Sequence, residues 1–229
     1  MQPLRIEFRL CTPWSPPSYG VHMDGLLAHM VVQESLRAAQ PDMLLNPDNE
    51  LDYASLISDL PLEKYESEEG WCWKASKLKP IGYLGQERRY LTAKTPVYAM
   101  ARAIVDGVVE SKGTSIIDTQ RNFTKNSAMY YTLEHITGLH AWCIGDKDAL
   151  TDLLSPLRAI GVKTRLGHGS LVAYEDGSYV RIVEDEEALT KWKNRNLPDR
   201  LQDDMYPGIG TIHPPYWKNK SYCWMPCEA

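Results

Sequence analysis

Gly161, Gly167 and Gly169 stand in one short run with Lys163, Arg165 and His168 among them. Glycine lets backbone N–H groups approach a ligand without a side chain in the way, so such a loop can bring donors and two cations to a phosphate. His168, held between two glycines, can stack on a base or donate to the same anion. The alternative is a tight helix-to-strand connection with an exposed histidine. A second constellation is Trp71, Trp73, Lys74, Lys77, Lys79, Arg88, Arg89 and Lys94, interleaved with Gly82 and Gly85. Indole planes beside cations suit base stacking and phosphate contact along a single strand. Tryptophans alternating on a strand also fill a core, and the cations also make a solvated basic face.

A third group is Tyr19, His22 and His29. The two histidines are seven positions apart and share a face on a continuous helix, although His29 beside Met30 also reads as a packed or rim histidine. Asp24 reads as a residue that caps or orients the helix rather than one that performs chemistry. Neither G-x-S-x-G nor G-x4-G-K-[ST] occurs. Cys223 and Cys227 form a single C-x3-C with no second half-site, which favours ordinary packing over zinc. No metal and no cofactor is expected.

The elements that must hold these groups follow from periodicity. Leu4, Ile6, Phe8 and Leu10 alternate with Arg5, Glu7 and Arg9, the pattern of a half-buried strand. A proline-rich loop, Thr12 to Gly20, leads into Met23, Leu26, Leu27, Met30 and Val31 at helical spacing. Residues 46–70 are polar and acidic, with one short helix expected around Tyr53 to Leu60. Ala128 to Ile144 reads as a bent strand or a strand pair, with Gly138 as a bulge. Gly145 and Asp146 offer a turn and an N-cap to a stripe of Leu150, Leu153, Leu154, Leu157 and Ile160, which Pro156 should kink or shorten. Val172 to Val183 alternates around Asp176-Gly177, a hairpin signal. From Glu184 a charged helix is expected, then a stretch through Pro207, Gly208, Gly210, Pro214, Pro215, Tyr216 and Trp217. Periodicity alone supports a mixed α+β fold.

The chain has 229 residues, of which 43% are hydrophobic, enough to bury a core without staples. Five scattered cysteines do not frame a secreted scaffold. The amino terminus alternates charges, unlike a signal peptide, and no apolar run is long enough to span a membrane, so a soluble, cytoplasmic protein is expected. The net charge of −5 argues at first against a nucleic-acid binder. Residues 71–125, however, hold ten Lys or Arg against four Asp or Glu, net +6, leaving −11 for the rest. A basic segment sits inside an acidic protein.

The strand, amphipathic helix and Gly161-x5-Gly167-x-Gly169 unit resembles the glycine-rich loop of the RAMP superfamily of CRISPR-associated proteins. His22-Met23-Asp24-Gly25-Leu26-Leu27-Ala28 after a short first strand, the basic Trp73 to Gly82 stretch and Pro214-Pro215-Tyr216-Trp217 look like the handle-binding subunit of type IV CRISPR effectors. The resemblance implies a ferredoxin-like, RRM-like fold over residues 1–184, with an inserted basic β-hairpin thumb at about 71–125 and a packed C-terminal appendage at 185–229. It implies a non-catalytic subunit that grips the 5′ handle of crRNA, with residues 74–94 intercalating near the handle, beside backbone RAMP subunits and other subunits of the complex and with target DNA as a further partner. Base pairing then reads the target, and only the groove need be positive. The runner-up implied by the same resemblance is a metal-independent endoribonuclease that processes precursor crRNA, His22 protonating the leaving 5′-oxygen with Tyr19 or His29 nearby. A third reading is a ferredoxin-like module for small molecules or proteins, favoured if the +6 segment is missing from every exposed face.

Overall fold

The computed structural model describes residues 1–38, 53–108, 117, 119–120, 125–216 and 220–227. In chain order its elements begin with β1 (Gln2–Arg9), α1 (Met23–Ala38), α2 (Tyr53–Leu56), β2 (Lys64–Ser67), β3 (Gly70–Trp73), β4 (Lys79–Ile81) and β5 (Gly85–Ala93). They continue with α3 (Val97–Val105), β6 (Ser127–His135), β7 (Gly138–Gly145), α4 (Lys147–Leu154), β8 (Arg181–Glu184), α5 (Ala188–Lys191), β9 (Met205–Gly210) and β10 (Ser221–Pro226). They form two compact units, Met1–Gly85 with Glu134–Ala229, and Gln86–Leu133.

The larger unit is built on a four-stranded antiparallel sheet in the order β4-β7-β1-β8. Period-2 alternation sends Leu4, Ile6 and Phe8 to one face, where they meet Leu139, Ala141 and Cys143 of β7 and the apolar stripes of α1 and α4. Each of these large side chains, once removed from water, contributes about 1.5–3 kcal/mol. Trp142 and Ile144 point to the opposite face. There a second cluster of Cys72, Ile144, Trp192, Leu197 and Met205 covers one end of the sheet. Gly138 is required by a close approach: a Cβ there would run into the carbonyl oxygen of Phe8.

Helix α4 stops at Leu154, before Pro156, and the Asp146 carboxylate caps it by accepting from Asp148 N at 3.0 Å and Ala149 N at 3.1 Å. Leu157 and Ile160 enter the core from the loop beyond it rather than from a helix. The expected hairpin at 172–183 does not form. Leu171 lies opposite Leu10 and β8 resumes along the same edge of β1, so both legs pair with β1 and not with each other. The Asp176-Gly177 turn is a short excursion closed by Tyr174 N donating to Ser178 O at 2.7 Å.

The inserted unit starts later than the expected residue 71, because β3 and β4 belong to the larger unit. Among the described residues it holds the paired strands β5 and β6 and the helix α3, whose side chains are all at least partly exposed. Residues 185–229 fall within the larger unit and supply most of its second cluster. The expected segment before Tyr53 and the residue Trp217 lie outside the described residues. Among those described, no helix is long and apolar enough to cross a membrane.

Candidate nucleic-acid interface

Four segments that are distant in sequence close around one cleft of about 510 Å³: the proline-rich loop, the N-terminal half of α1, the start of the glycine-rich loop and the β9–β10 hairpin. Tyr19, His22, His29 and Gly161 all line it, with Lys220 adding a cation. Tyr19 is 81% exposed and His29 is exposed on α1, while His22 is buried.

The glycine-rich loop is shaped by internal bonds. Gly167 N donates to Thr164 O and Gly169 N to Pro13 O, both at 2.9 Å, so neither amide is left for a phosphate as the spacing suggested. The glycines instead provide conformation: Gly161, Gly167 and Gly169 have φ of 109°, 83° and 68°. A Cβ at Gly169 would strike the carbonyl oxygen of Ile160. Lys163 is also left-handed, at φ 63°, and Arg165 is exposed on the short 3-10 turn Thr164–Leu166. His168 is buried at 8% exposure, which corrects its reading as an exposed loop residue.

Beneath the cleft lies a buried charge cage. Asp24 and Arg195 are fully enclosed, and Arg195 Nη1 donates to Asp24 Oδ2 at 3.0 Å, with Trp73 O and Ala75 O also in reach at 2.8 and 3.0 Å. Its Nη2 reaches Ile212 O and Tyr216 Oη, the latter at 2.7 Å, and its Nε donates to Asn196 O. The Tyr216 hydroxyl donates to Asp24 at 2.8 Å. Burial, offset in part by Arg195 and reinforced by Asp24, pushes this phenol well above its usual range, so it stays protonated. Asp24 is therefore an ion-pair partner, a stronger role than helix capping. Arg195 escaped the sequence reading because it sits in a charged run that reads as surface. The signal for it was Asp24 itself, an acid between the apolar Met23 and Leu26.

His22 stacks on Tyr216 with ring centroids 4.4 Å apart, and its Nδ1 has no hydrogen-bond partner. Burial first, then the charges of Arg195 and Lys77, hold its pKa well below the usual histidine value. The ring is neutral at pH 7.

The basic and aromatic residues separate into three environments. Trp73 is a core residue at 2% exposure. Trp71 is half-buried, stacked on His213 at 4.3 Å and edge-on to Trp73, so neither indole is a free stacking platform. Lys74 is half-buried against Glu63, with Nζ to Oε1 at 2.5 Å, and Lys77 is half-buried beside His22. Lys79, Arg88, Arg89 and Lys94 are exposed. Within the inserted unit Arg88 lies over Tyr130 at 5.7 Å and Arg89 pairs with Glu87 at 3.0 Å. Cys223 is buried and Cys227 exposed, and no group of three or more His, Cys, Asp or Glu that could hold a metal occurs among the described residues.

A family profile described as CRISPR type IV associated protein Csf3 matches residues 2–228. The chain belongs to this family. The match takes in every segment that shapes the cleft of this Csf3 family member. No curated protein matches the chain. Among solved structures it is similar to one described as the crystal structure of a CRISPR protein from Archaeoglobus fulgidus, at 10% identity and a TM-score of 0.31, over 100% of this chain and 87% of that one.

Proposed function

We propose that the protein is a non-catalytic RNA-binding subunit of a type IV CRISPR effector that grips the repeat-derived 5′ handle of crRNA and caps the filament of backbone subunits in the cytoplasm. The observation that carries this reading is the convergence of the start of the glycine-rich loop, the proline-rich loop and α1 on one cleft, in a chain of the Csf3 family. The sheet order, with α1 following its first strand and α4 its third, supports a ferredoxin-like reading of the larger unit. The inserted unit, with Arg88, Arg89 and Lys94 exposed, supports its reading as the thumb. RNA is the main partner, and target DNA and the other subunits complete the proposed assembly.

The processing endonuclease keeps a place because Tyr19, His22 and His29 share the cleft. The state of His22 weighs against it, since burial and the nearby charges of Arg195 and Lys77 disfavour the imidazolium form that would protonate a leaving 5′-oxygen. One incubation with end-labelled repeat RNA in EDTA separates the two readings. A mobility shift without cleavage, weakened in Lys163→Gln and Arg165→Gln, supports the handle grip. Site-specific cleavage that disappears in His22→Ala overturns it in favour of the nuclease.

A further inference from the structure

The register of the sheet aligns one residue from each strand in a row across its second face. Lys79 lies opposite His140, His140 opposite Glu7, and Glu7 opposite Arg181. Residues directly opposite on paired strands share a face, and Glu7 alternates with the core-facing Ile6 and Phe8, so the row lies away from the main core. The second cluster covers the other end of this face, around Ile144, and leaves the row outside it. Arg9 extends the same face one step along β1, and the turn after Leu171 brings Tyr174 beneath its guanidinium at 4.8 Å.

This uncovered half is cationic and holds half-buried rings. Lys79, Arg9 and Arg181 are exposed, and none has an ion pair among the described residues. The acid in the row, Glu7, is held by Arg5 Nε at 2.9 Å. His140 is half-buried, edge-on to Trp142 at 4.3 Å, and Tyr174 is half-buried. Rings set in a sheet face with cations at both edges match the stacked bases and the phosphate track of a single strand.

We propose that this half-face is a second nucleic-acid surface, separate from the cleft, which binds one single strand with Arg9, Lys79 and Arg181 on its phosphates and His140 and Tyr174 against its bases. No residue is shared with the cleft. The occupant is a single-stranded polynucleotide, recognised through its phosphates and bases.

The test measures binding of fluorescein-labelled oligouridylate and oligothymidylate by anisotropy across a salt series, with the full chain. Lys79→Gln and Arg181→Gln leave the backbone ladder intact, and each should reduce the log–log salt slope by roughly 0.7. His140→Ala should weaken binding roughly tenfold with little change in slope. Loss with only one of the two oligonucleotides supports the surface and names its strand. Unchanged slopes for both overturn the proposal, even if repeat RNA still binds through Lys163 and Arg165. Repeat-RNA binding that ignores the loop variants while the sheet variants still matter overturns the handle grip and leaves this surface standing.

Discussion

The charge cage of the larger unit and the helix of the inserted unit solve opposite problems. Around Arg195 a full positive charge is sealed from water, and the protein satisfies it with an acid, a phenol and backbone carbonyls. Along α3 the sequence Val97-Tyr98-Ala99-Met100-Ala101-Arg102-Ala103-Ile104-Val105 is apolar enough for a core, yet it buries no side chain, and Tyr98 and Val105 are 82% and 85% exposed. Polar groups are enclosed where stability is made, and apolar groups stand in water where an assembly could be joined. The larger unit encloses its charges, whereas the described residues of the inserted unit leave apolar side chains in water, an exposure found most often at contact surfaces.

The comparison breaks most sharply at the cage. Arg195→Ala leaves Asp24 buried without a counter-charge and should lower unfolding stability by about 3–5 kcal/mol, read as a large fall in the urea midpoint. A loss under about 1 kcal/mol would mean that water already reaches the cage. Next in size is a pH effect. Because the pKa of folded His22 is held below its ordinary value of 6.5, the unfolded chain takes up a proton that the folded chain refuses. Stability should therefore fall as pH drops below 6.5, by at most about 1.4 kcal/mol per pH unit from this group, and His22→Gln should flatten that slope. His140, also shifted down by burial, leaves a residual dependence. The smallest effect belongs to α3, where Tyr98→Ser should change the melting temperature of the isolated chain by an amount equivalent to less than about 0.5 kcal/mol. A larger loss would show that Tyr98 is not the free surface described here.

What was legible in the sequence follows the same divide between local and distant. Strand β1, helix α1 and the Asp146 cap of α4 could be read because alternation, helical spacing and a capping acid act over a few residues. The short reach of α4 was legible in Pro156. The hairpin at Asp176-Gly177 was misread because turn chemistry reports a local reversal and says nothing about which strand each leg pairs with. In the site, Tyr19, His22 and His29 were found by their types, and their meeting with Gly161 depends on tertiary packing that no spacing reveals. Asn196, Thr211 and Tyr216, which share that cleft, come from the stretch read as a charged helix and a packed appendage, whose pattern does not tell which of its residues turn toward the cleft. The burial of Trp73 and His168 was equally out of reach, since tryptophan and histidine serve cores and ligands alike.

The cage also sets a clock for synthesis. Asp24 and Arg195 are 171 residues apart, so at ribosomal rates the acid near the start of α1 waits roughly 10–35 s for its guanidinium. During that interval the first strand and helix carry a carboxylate that a closed core would leave unpaired. A core closed before Arg195 arrives would hold that carboxylate without its counter-charge, at a cost of about 3–5 kcal/mol.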